Sequence, residues 1–280
     1  MEHKRVLSIQ DYSIMGRCST TVALPIISSC LVECVALPSC VLSNHTQFKS
    51  WEISDLTSKM YLNTTKWDNY DHDFDAIYTG YLLDSQITET LKIIEKYNSS
   101  RTTIIVDPAM ADDKKLYPGF DISHINIMNS LVKKANIVIP NLSELVFLTF
   151  SEIKDEYTEN ELLVMLKKLS NNNKTVILTG VKKNNKNIIY LYSQNKLTLF
   201  TSVNKKGKYH GSGDLFASTF VGAYTRLNDI NLAIEIAKTV VSKSIDATIK
   251  EKIDGVIYGL NFEEVIPYLS NRIKKEINRK

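Results

Sequence analysis

The sequence has no apolar run long enough to cross a lipid bilayer, which takes about 20 consecutive apolar residues in a helix. Its longest apolar stretch is VALPII at residues 22–27. The first nine residues combine charged side chains with an apolar run that is too short for a secretory signal. These absences predict a cytoplasmic protein that has no membrane as a partner.

An excess of one charge is also lacking, because 34 lysine and arginine residues stand against 31 aspartate and glutamate residues, for a net charge of +3. A nucleic-acid-binding domain carries a strongly basic surface, so no nucleic acid is expected as a partner. The cysteines lack the close CxxC pairs of a zinc site. In a reducing compartment they are expected to be buried, reduced thiols: Cys18, Cys30, Cys34 and Cys40.

The common phosphate-binding motifs are missing as well. The sequence has no GxxxxGKS or GxxxxGKT loop, no GxGxxG at the first strand-to-helix turn, and no protein-kinase signature. These absences exclude a P-loop enzyme and disfavour a dinucleotide-binding fold. Any phosphate chemistry must therefore depend on a different glycine motif.

That motif is Gly211-Ser212-Gly213-Asp214, which opens an apolar helix pattern. Glycines let a ligand approach the backbone closely, and the first amides of a helix lie at the positive end of its dipole, where phosphate binds. An aspartate at such a site can accept the proton of an attacking alcohol. The motif indicates a kinase for a small hydroxyl compound. A plain helix start capped by Ser212 or Asp214 explains the same residues equally well.

The order of apolar and polar segments predicts the fold. With 280 residues, 44% of them hydrophobic, the chain can bury a large core. Strands are predicted at residues 5–9, 33–37, 40–42, 75–80, 102–106, 135–139, 175–178, 187–192 and 197–202. Helices are predicted at residues 17–29, 54–62, 84–97, 122–131, 159–169, 230–245 and 262–277, and after Asn141 and Gly213. This alternation predicts an α/β fold with a doubly wound, mostly parallel central sheet flanked by helices, as one domain over residues 1–280.

Polar residues follow several predicted strands, at the carboxyl ends where ligands bind in doubly wound sheets. They lie at residues 10–11, 79–81, 107–108, 140–141 and 179–180. Glu144 stands three residues after Asn141, which is the spacing of a capping box. Asp107 and Glu144 are therefore candidates for a turn and a cap as well as for a site.

Five segments together resemble the pyridoxal and pyridoxamine kinases of the ribokinase-like superfamily. They are VLSIQ at residues 6–10, SNHT at 43–46, TGY at 79–81, DP at 107–108 with PNLSE at 140–144, and GSGD at 211–214. The segments occur in the family's order, and the resemblance extends from about residue 5 to the last residues. It implies ATP-dependent phosphorylation of the primary hydroxyl of vitamin B6 (pyridoxal, pyridoxamine or pyridoxine), which gives the 5′-phosphate.

The resemblance also implies roles for the matching residues. Asp214 matches the catalytic base. The anion hole is matched by Gly211, Ser212 and Gly213. The Mg²⁺ site is matched by Asp107, Glu144 and Asp112, and the ATP site by Asn141, Thr179, Lys205 and Lys206. The vitamin pocket is matched by Asp11, Cys18, His45, Thr46 and Tyr81. A monovalent cation and a homodimer are further expectations from the family.

Two alternatives stay open. Hydroxymethylpyrimidine, from thiamine synthesis, has a similar flat nitrogen ring with a hydroxymethyl arm, so a kinase for it would share these motifs. A non-catalytic B6-binding protein on the same fold is the other alternative. It is motivated by Ala111 and Ile139, which stand where the family usually has glycine and threonine. The intact GSGD segment argues against it.

Overall fold

The computed structural model describes residues 2–70, 73–171, 174–205 and 207–279. Its strands, in chain order, are β1 (Arg5–Met15), β2 (Glu33–Asn44), β3 (Ile53–Asp55), β4 (Ala76–Thr79), β5 (Thr103–Val106), β6 (Ala111–Asp112), β7 (Lys115–Leu116), β8 (Ile137–Val138), β9 (Thr175–Lys183), β10 (Lys186–Ser193) and β11 (Lys196–Val203). Nine of these form one sheet in the order β11-β10-β9-β8-β5-β4-β1-β2-β3, and β6 pairs with β7 as a separate hairpin.

The six strands from β9 to β2 in that order are parallel, and antiparallel strands extend both edges of the sheet. From β1 the chain moves to β2 on one side and later returns through β4, β5, β8 and β9 on the other. The strand order therefore reverses between β1 and β4, and ligands bind at the crevice that such a reversal creates. The predicted α/β fold with a doubly wound, mostly parallel sheet is confirmed.

Helices cover both faces of this sheet. They are α1 (Thr20–Ser29), α2 (Thr57–Thr64), α3 (Asp84–Tyr97), α4 (Ile122–Lys134), α5 (Leu142–Leu148), α6 (Glu159–Ser170), α7 (Ser212–Leu227), α8 (Ile230–Lys250) and α9 (Ile266–Ile277). Successive strand residues point to opposite faces. Val6 and Tyr78 accordingly pack with α1, α7, α8 and α9, whereas Leu7 and Ile77 pack with α2 to α6. Within the described ranges, no helix is both long and apolar enough to span a membrane.

Several predicted strand ends are wrong because pairing between distant strands extends them. β1 continues to Met15 instead of ending at residue 9. It pairs with a single β2 that joins the predicted strands 33–37 and 40–42, across a register shift between Gln10 and Tyr12. β9 continues through Gly180, which has a φ of +74°, and pairs with β10 as far as Lys183. Local patterns do not contain this pairing.

Some helix starts also differ from the prediction. α1 begins at Thr20 rather than residue 17, because Ser19 has a φ of +47° that no α-helix accommodates. Residues 53–55 form β3 against β2, so the helix predicted at 54–62 begins at Thr57. α8 continues to Lys250, and the short β6–β7 hairpin was not predicted.

Candidate active site

The start of α7 is open to a ligand. Gly211 is the N-cap residue, with a φ of +71°, and a Cβ there would lie 2.2 Å from the carbonyl oxygen of Arg17. Only glycine fits this position. A Cβ at Gly213 would meet no atom within 4 Å. The N-cap residue is Gly211, which has no side chain, so the interpretation of a plain helix start capped by Ser212 or Asp214 is wrong.

Asp214 lies in the first turn of α7 and faces two other carboxylates. Burial raises the pKa of its carboxyl above the usual value, although the nearby main chain of Ser19 opposes this rise in pKa. In turn, repulsion by Asp214 adds to the burial that raises the pKa values of Asp11 and Asp107. The structure therefore brings these three predicted site residues around one space.

Asp107 and Glu144 form a second buried acidic pair beside that space. Asp107 follows β5 and Glu144 lies in the first turn of α5, with 8% and 2% of their surfaces exposed. Burial raises the pKa of Glu144 to about 7, and burial together with repulsion by Glu144 raises the pKa of Asp107 well above its usual value. The Glu144 carboxylate accepts the N–H of Asn141 (2.8 Å) and of Met110 (3.2 Å). Because the Asn141 side chain also accepts the Glu144 N–H, the predicted capping box is confirmed.

This pair suits a magnesium ion. Among the described residues, no lysine, arginine or histidine forms an ion pair with Asp107, Glu144 or Asp214. Buried carboxylates without a counter-charge call for a cation. Within the same ranges, no group of three or more acidic, cysteine or histidine side chains could hold a metal by itself. Asp112 is exposed on the β6–β7 hairpin. Asp107 and Glu144 therefore fit a Mg²⁺ ion that keeps water molecules and phosphate oxygens among its ligands.

The predicted ATP residues Asn141 and Thr179 lie side by side, joined by an isolated parallel bridge. The Asn141 side-chain amide donates to the Ala111 carbonyl oxygen at 2.7 Å. A cavity opens next to them, and its walls include Asp112, Asn141, Leu142, Phe147, Tyr157 and Gly180. Its apolar part can pack against a flat nucleotide base, while the Asn141 end lies beside the acidic pair.

Lys205, one of the two predicted lysines, does not line this cavity. Lys205 Nζ lies 2.7 Å from the Ser242 carbonyl oxygen and 2.6 Å from Asp246 Oδ1, both on α8. Lys206 lies outside the described residues. Lys208 instead pairs with Asp113 at 2.6 Å, which links the segment before the glycine motif to the β6–β7 hairpin.

Asp11 lies near Cys18 and Tyr81, and Asp11 and Cys18 both lie near Asp214. Asp11 is 3% exposed, and burial raises its pKa to about 6. Burial, with Asp11 and Asp214 nearby, raises the pKa of Cys18 so far that its thiol is neutral at pH 7. The Tyr81 ring stacks on Phe120 with ring centroids 5.5 Å apart. Acidic and aromatic groups thus form one wall.

His45 and Thr46 are placed differently from the expected pocket. The ring of His45 is buried, with Nε2 donating to the Ile257 carbonyl oxygen at 2.7 Å and Nδ1 accepting the Gln47 N–H at 3.2 Å. Both ring nitrogens are therefore occupied by the protein's own backbone. Thr46 is exposed. The structure gives His45 a packing position rather than a free polar edge.

Sequence reasoning missed three residues near the carboxylates: Ser19, Tyr117 and His210. The main chain of Ser19 lies near Asp214 and lowers the pKa of that carboxyl. Burial and the surrounding acids, Glu144 first, raise the pKa of Tyr117 well above its usual value. His210 stacks on His45 immediately before Gly211. The signal available for His210 was its position next to the glycine motif, whereas Ser19 lay inside the predicted helix 17–29 and Tyr117 had no signal.

The arrangement can support phosphoryl transfer to an alcohol. A half-buried proton acceptor, an open helix start and an acidic pair that suits Mg²⁺ meet at the carboxyl edge of the parallel strands. Phosphoryl transfer depends mainly on positioning and on charge neutralisation, and these groups supply both.

Known proteins have sequences that are similar to this one. The family model described as phosphomethylpyrimidine kinase matches residues 31–256. The pyridoxal kinase of Dictyostelium discoideum is 26% identical over 267 residues, which cover 89% of this chain and 87% of that protein. The pyridoxal kinase of Haemophilus influenzae is 29% identical over 189 residues, which cover 64% and 61% of the two chains.

Solved structures share the fold over nearly the whole chain. A candidate phosphomethylpyrimidine kinase from Bacteroides thetaiotaomicron is 33% identical, with a TM-score of 0.92 over 96% of this chain and 94% of that chain. An orthorhombic form with pyridoxal gives a TM-score of 0.89 at 32% identity and 96% coverage of both chains. This protein is accordingly a phosphotransferase with an alcohol group as acceptor, and it belongs to the phosphomethylpyrimidine kinase family, in the ribokinase-like superfamily that includes the pyridoxal kinases.

Proposed function

We propose that this protein transfers the terminal phosphoryl group of ATP to the primary hydroxyl of vitamin B6, with Asp214 as general base. The observation that carries the proposal is the position of Asp214 in the first turn of α7, next to the uncapped glycine segment. A group there can take the hydroxyl proton while the helix amides hold the phosphoryl oxygens. The product is pyridoxal 5′-phosphate or its amine or alcohol form, as in salvage of the vitamin.

Different groups of the protein are proposed to accept the proton, contact the phosphates and hold the metal ion. The main chain of Ser19 lies near Asp214 and lowers the pKa of its carboxyl, which favours the ionised form that accepts a proton. Asn141 and Thr179 are proposed to contact the ATP phosphates. Mg²⁺, held by Asp107 and Glu144, would neutralise charge on the phosphates. Asp112 is a further candidate ligand of Mg²⁺, and Lys205 and Lys206 are further candidates for binding ATP.

The acceptor is proposed to lie against Asp11, Cys18 and Tyr81. Asp11 can accept a hydrogen bond from a ring substituent, and Tyr81 can cover a ring face. The pyridoxal-containing relative supports a B6 vitamer as the occupant of this wall. His45 and Thr46 are proposed to shape the pocket from its rim. We also propose that residues 1–280 act as one kinase domain, while a homodimer, a monovalent cation and a cytoplasmic location stay predictions.

Hydroxymethylpyrimidine is the second candidate acceptor. The matching family model is described as phosphomethylpyrimidine kinase, and that acceptor's hydroxymethyl arm could reach the same base. The chemical step and the roles of Asp214 and the glycine segment would be unchanged.

The test is a phosphorylation assay with ATP and Mg²⁺, run in parallel on pyridoxal, pyridoxamine, pyridoxine and hydroxymethylpyrimidine. We expect kcat/KM to be at least tenfold higher for one of the B6 vitamers than for the pyrimidine. A preference for the pyrimidine would replace the proposed acceptor. If folded protein binds pyridoxal but phosphorylates none of the four compounds, it is a non-catalytic B6-binding protein.

A further inference from the structure

Three aromatic rings beside the proposed acceptor wall are joined by stacking. The Tyr81 ring lies on Phe120 with centroids 5.5 Å apart and planes inclined by 25°. Phe120 in turn stacks on His124, with centroids 3.6 Å apart and planes parallel within 4°. Stacked aromatic rings attract each other. The placement of Tyr81, which is proposed to cover the acceptor, therefore depends on two residues that lie much later in the chain.

His124 is buried, and a hydrogen bond holds one edge of its ring. Only 1% of the residue is exposed, and its Nδ1 donates to Asp84 Oδ1 at 2.6 Å. Among the described residues, its other ring nitrogen, Nε2, has no hydrogen-bond partner. Burial of such a polar atom costs free energy that an apolar ring of similar size would not cost. Packing alone therefore does not explain a histidine here, and the bond to Asp84 fixes the rotation of the ring.

The bond between Asp84 and His124 joins the same two segments as the stacked rings. Asp84 is the first residue of α3, shortly after Tyr81, and a carboxylate in the first turn of a helix is favoured by the helix dipole. His124 lies in the first turn of α4, shortly after Phe120. The segment that carries Tyr81 is therefore connected to the segment that carries Phe120 twice, once through the rings and once through the hydrogen bond.

We propose that His124 is a positioning residue, which holds the Tyr81 ring in place over the acceptor through Phe120. The inference rests on the proposed function, because it takes Tyr81 to cover the acceptor ring. A covering ring that is already held in place loses little conformational freedom when the acceptor binds. Tyr81 covers the acceptor in the ground state and in the transition state alike, so the contribution of His124 lies in acceptor binding rather than in the chemical step.

The test compares variants that break the stack at two points. His124→Asn removes the last ring, and Phe120→Leu removes the ring between His124 and Tyr81. We expect the KM of pyridoxal to rise roughly 3- to 10-fold in both variants, as for the loss of one aromatic pair, while kcat and the KM of ATP stay unchanged. Phe120→Tyr keeps a ring at this position and should keep the wild-type KM. Because Phe120 is only half-buried, Phe120→Leu still tests the stack if His124→Asn does not fold.

A second pair of a histidine and a carboxylate supplies the matched control. His3 Nε2 lies 2.6 Å from Glu33 Oε2, the same distance as between His124 and Asp84. His3 precedes β1, at the amino edge of the parallel strands, whereas the candidate site lies at their carboxyl edge. His3→Ala should therefore leave kcat and the KM of pyridoxal unchanged.

Denaturant unfolding tests the inference without turnover, through a double-mutant cycle of His124→Asn and Tyr81→Leu. If Phe120 connects the two residues, the unfolding equilibrium constant of the double variant should differ at least about twofold from the product of the two single effects. Wild-type protein that phosphorylates none of the acceptors contradicts the proposed function, and the cycle still decides the role of His124.

Three results would overturn the positioning role. The first is a KM of pyridoxal that stays at the wild-type value in His124→Asn and Phe120→Leu. The second is a parallel change of kcat and of both KM values, which a general loss of structure produces. The third is a cycle in which the two effects on unfolding simply multiply.

Discussion

The imidazole ring of His45 lies on the ring of His210, with centroids 4.0 Å apart and planes inclined by 23°. Burial lowers the pKa values of both rings to about 4, so both are neutral at pH 7 and do not repel each other. His210 immediately precedes Gly211, and His45 belongs to the loop that follows β2. The stack therefore connects the loop beside the acceptor pocket to the start of α7.

Replacement of this ring should loosen the helix start. His45→Ala removes an aromatic pair and the hydrogen bond to the Ile257 carbonyl oxygen, and we expect it to destabilise the fold by roughly 2 kcal/mol. We also expect kcat/KM to fall about tenfold, which corresponds to about 1.4 kcal/mol. Urea unfolding and steady-state kinetics measure the two effects. Thr46→Ala, at the exposed neighbouring position, should leave stability unchanged, and equal stability of both variants would contradict the role of the stack.

Removal of the proton acceptor should abolish turnover without preventing binding. Asp214→Asn keeps the size of the side chain but cannot take the hydroxyl proton. General base catalysis typically contributes roughly 10²–10⁴-fold, so kcat should fall by that factor. Binding of the acceptor and of ATP, followed by thermal shift, should persist. A variant that keeps more than about a tenth of wild-type kcat would rule out Asp214 as the base.

The fold was largely predictable because its signals are local. The helix Asp84–Tyr97 has the predicted bounds, since its apolar residues recur at a helical spacing. The capping box of Asn141 and Glu144 is likewise predictable from these residue types at this spacing. The extended ends of β1 and β9 were not predictable, because they depend on partners that lie far along the chain.

The site was predictable in part, for a related reason. The motif residues Asp11, Asp107 and Asp214 meet because the sheet brings the ends of distant segments to one edge. Lys205 contacts Asp246 on α8, which lies much later in the chain. No local sequence pattern predicts where α8 passes. The late start of α1 was not predictable, because it follows from the positive φ of Ser19, and a serine gives no sequence signal for a positive φ.

Asp11 should destabilise the free protein at neutral pH. Its pKa is raised from 3.8 in the unfolded chain to about 6 in the folded protein. Folding therefore disfavours the ionised form, and this cost is full above pH 6 and disappears as the pH falls towards 4. Asp11→Asn removes it, so the variant should be more stable than wild type at pH 8 by up to about 3 kcal/mol.

Denaturant unfolding at several pH values measures this difference. The advantage of Asp11→Asn should shrink between pH 6 and pH 4, and kcat/KM for the acceptor should fall at every pH. Asp55, an exposed aspartate on β3 whose pKa is lowered by hydrogen bonds from Thr57, supplies the contrast, since Asp55→Asn should gain no stability at pH 8. A stability gain at Asp11 that does not depend on pH would contradict a raised pKa.

Glu144 combines a structural and a metal-binding role, and two substitutions separate them. Glu144→Gln keeps one oxygen that accepts the Asn141 N–H, but its amide nitrogen cannot accept the Met110 N–H and the side chain carries no charge. The Mg²⁺ concentration for half-maximal activity should therefore rise roughly 10- to 100-fold, with a smaller loss of Tm than in Glu144→Ala. Glu144→Ala also leaves buried N–H groups without an acceptor and should cost about 1–3 kcal/mol in stability. Mg²⁺ titrations of activity and thermal melts test both. An unchanged Mg²⁺ dependence in the glutamine variant would exclude Glu144 from the metal site.

The two glycines of the motif should respond differently to the same added methyl group. At Gly211 the new Cβ would lie 2.2 Å from the Arg17 carbonyl oxygen, and φ is +71°, so Gly211→Ala should destabilise the protein by a few kcal/mol. At Gly213 no atom lies within 4 Å of the new Cβ. Gly213→Ala should therefore keep the wild-type Tm.

Activity then tells which glycine faces the phosphoryl group. If the first turn of α7 cradles the transferred group, the methyl group in Gly213→Ala occupies the ligand's space, and kcat should fall at least tenfold in a fully folded protein. Thermal melts and kcat measured on the same preparations make the comparison. A Gly213→Ala variant with both wild-type Tm and wild-type kcat would show that the phosphoryl group is held elsewhere, because the open space at this position would then have no ligand to admit.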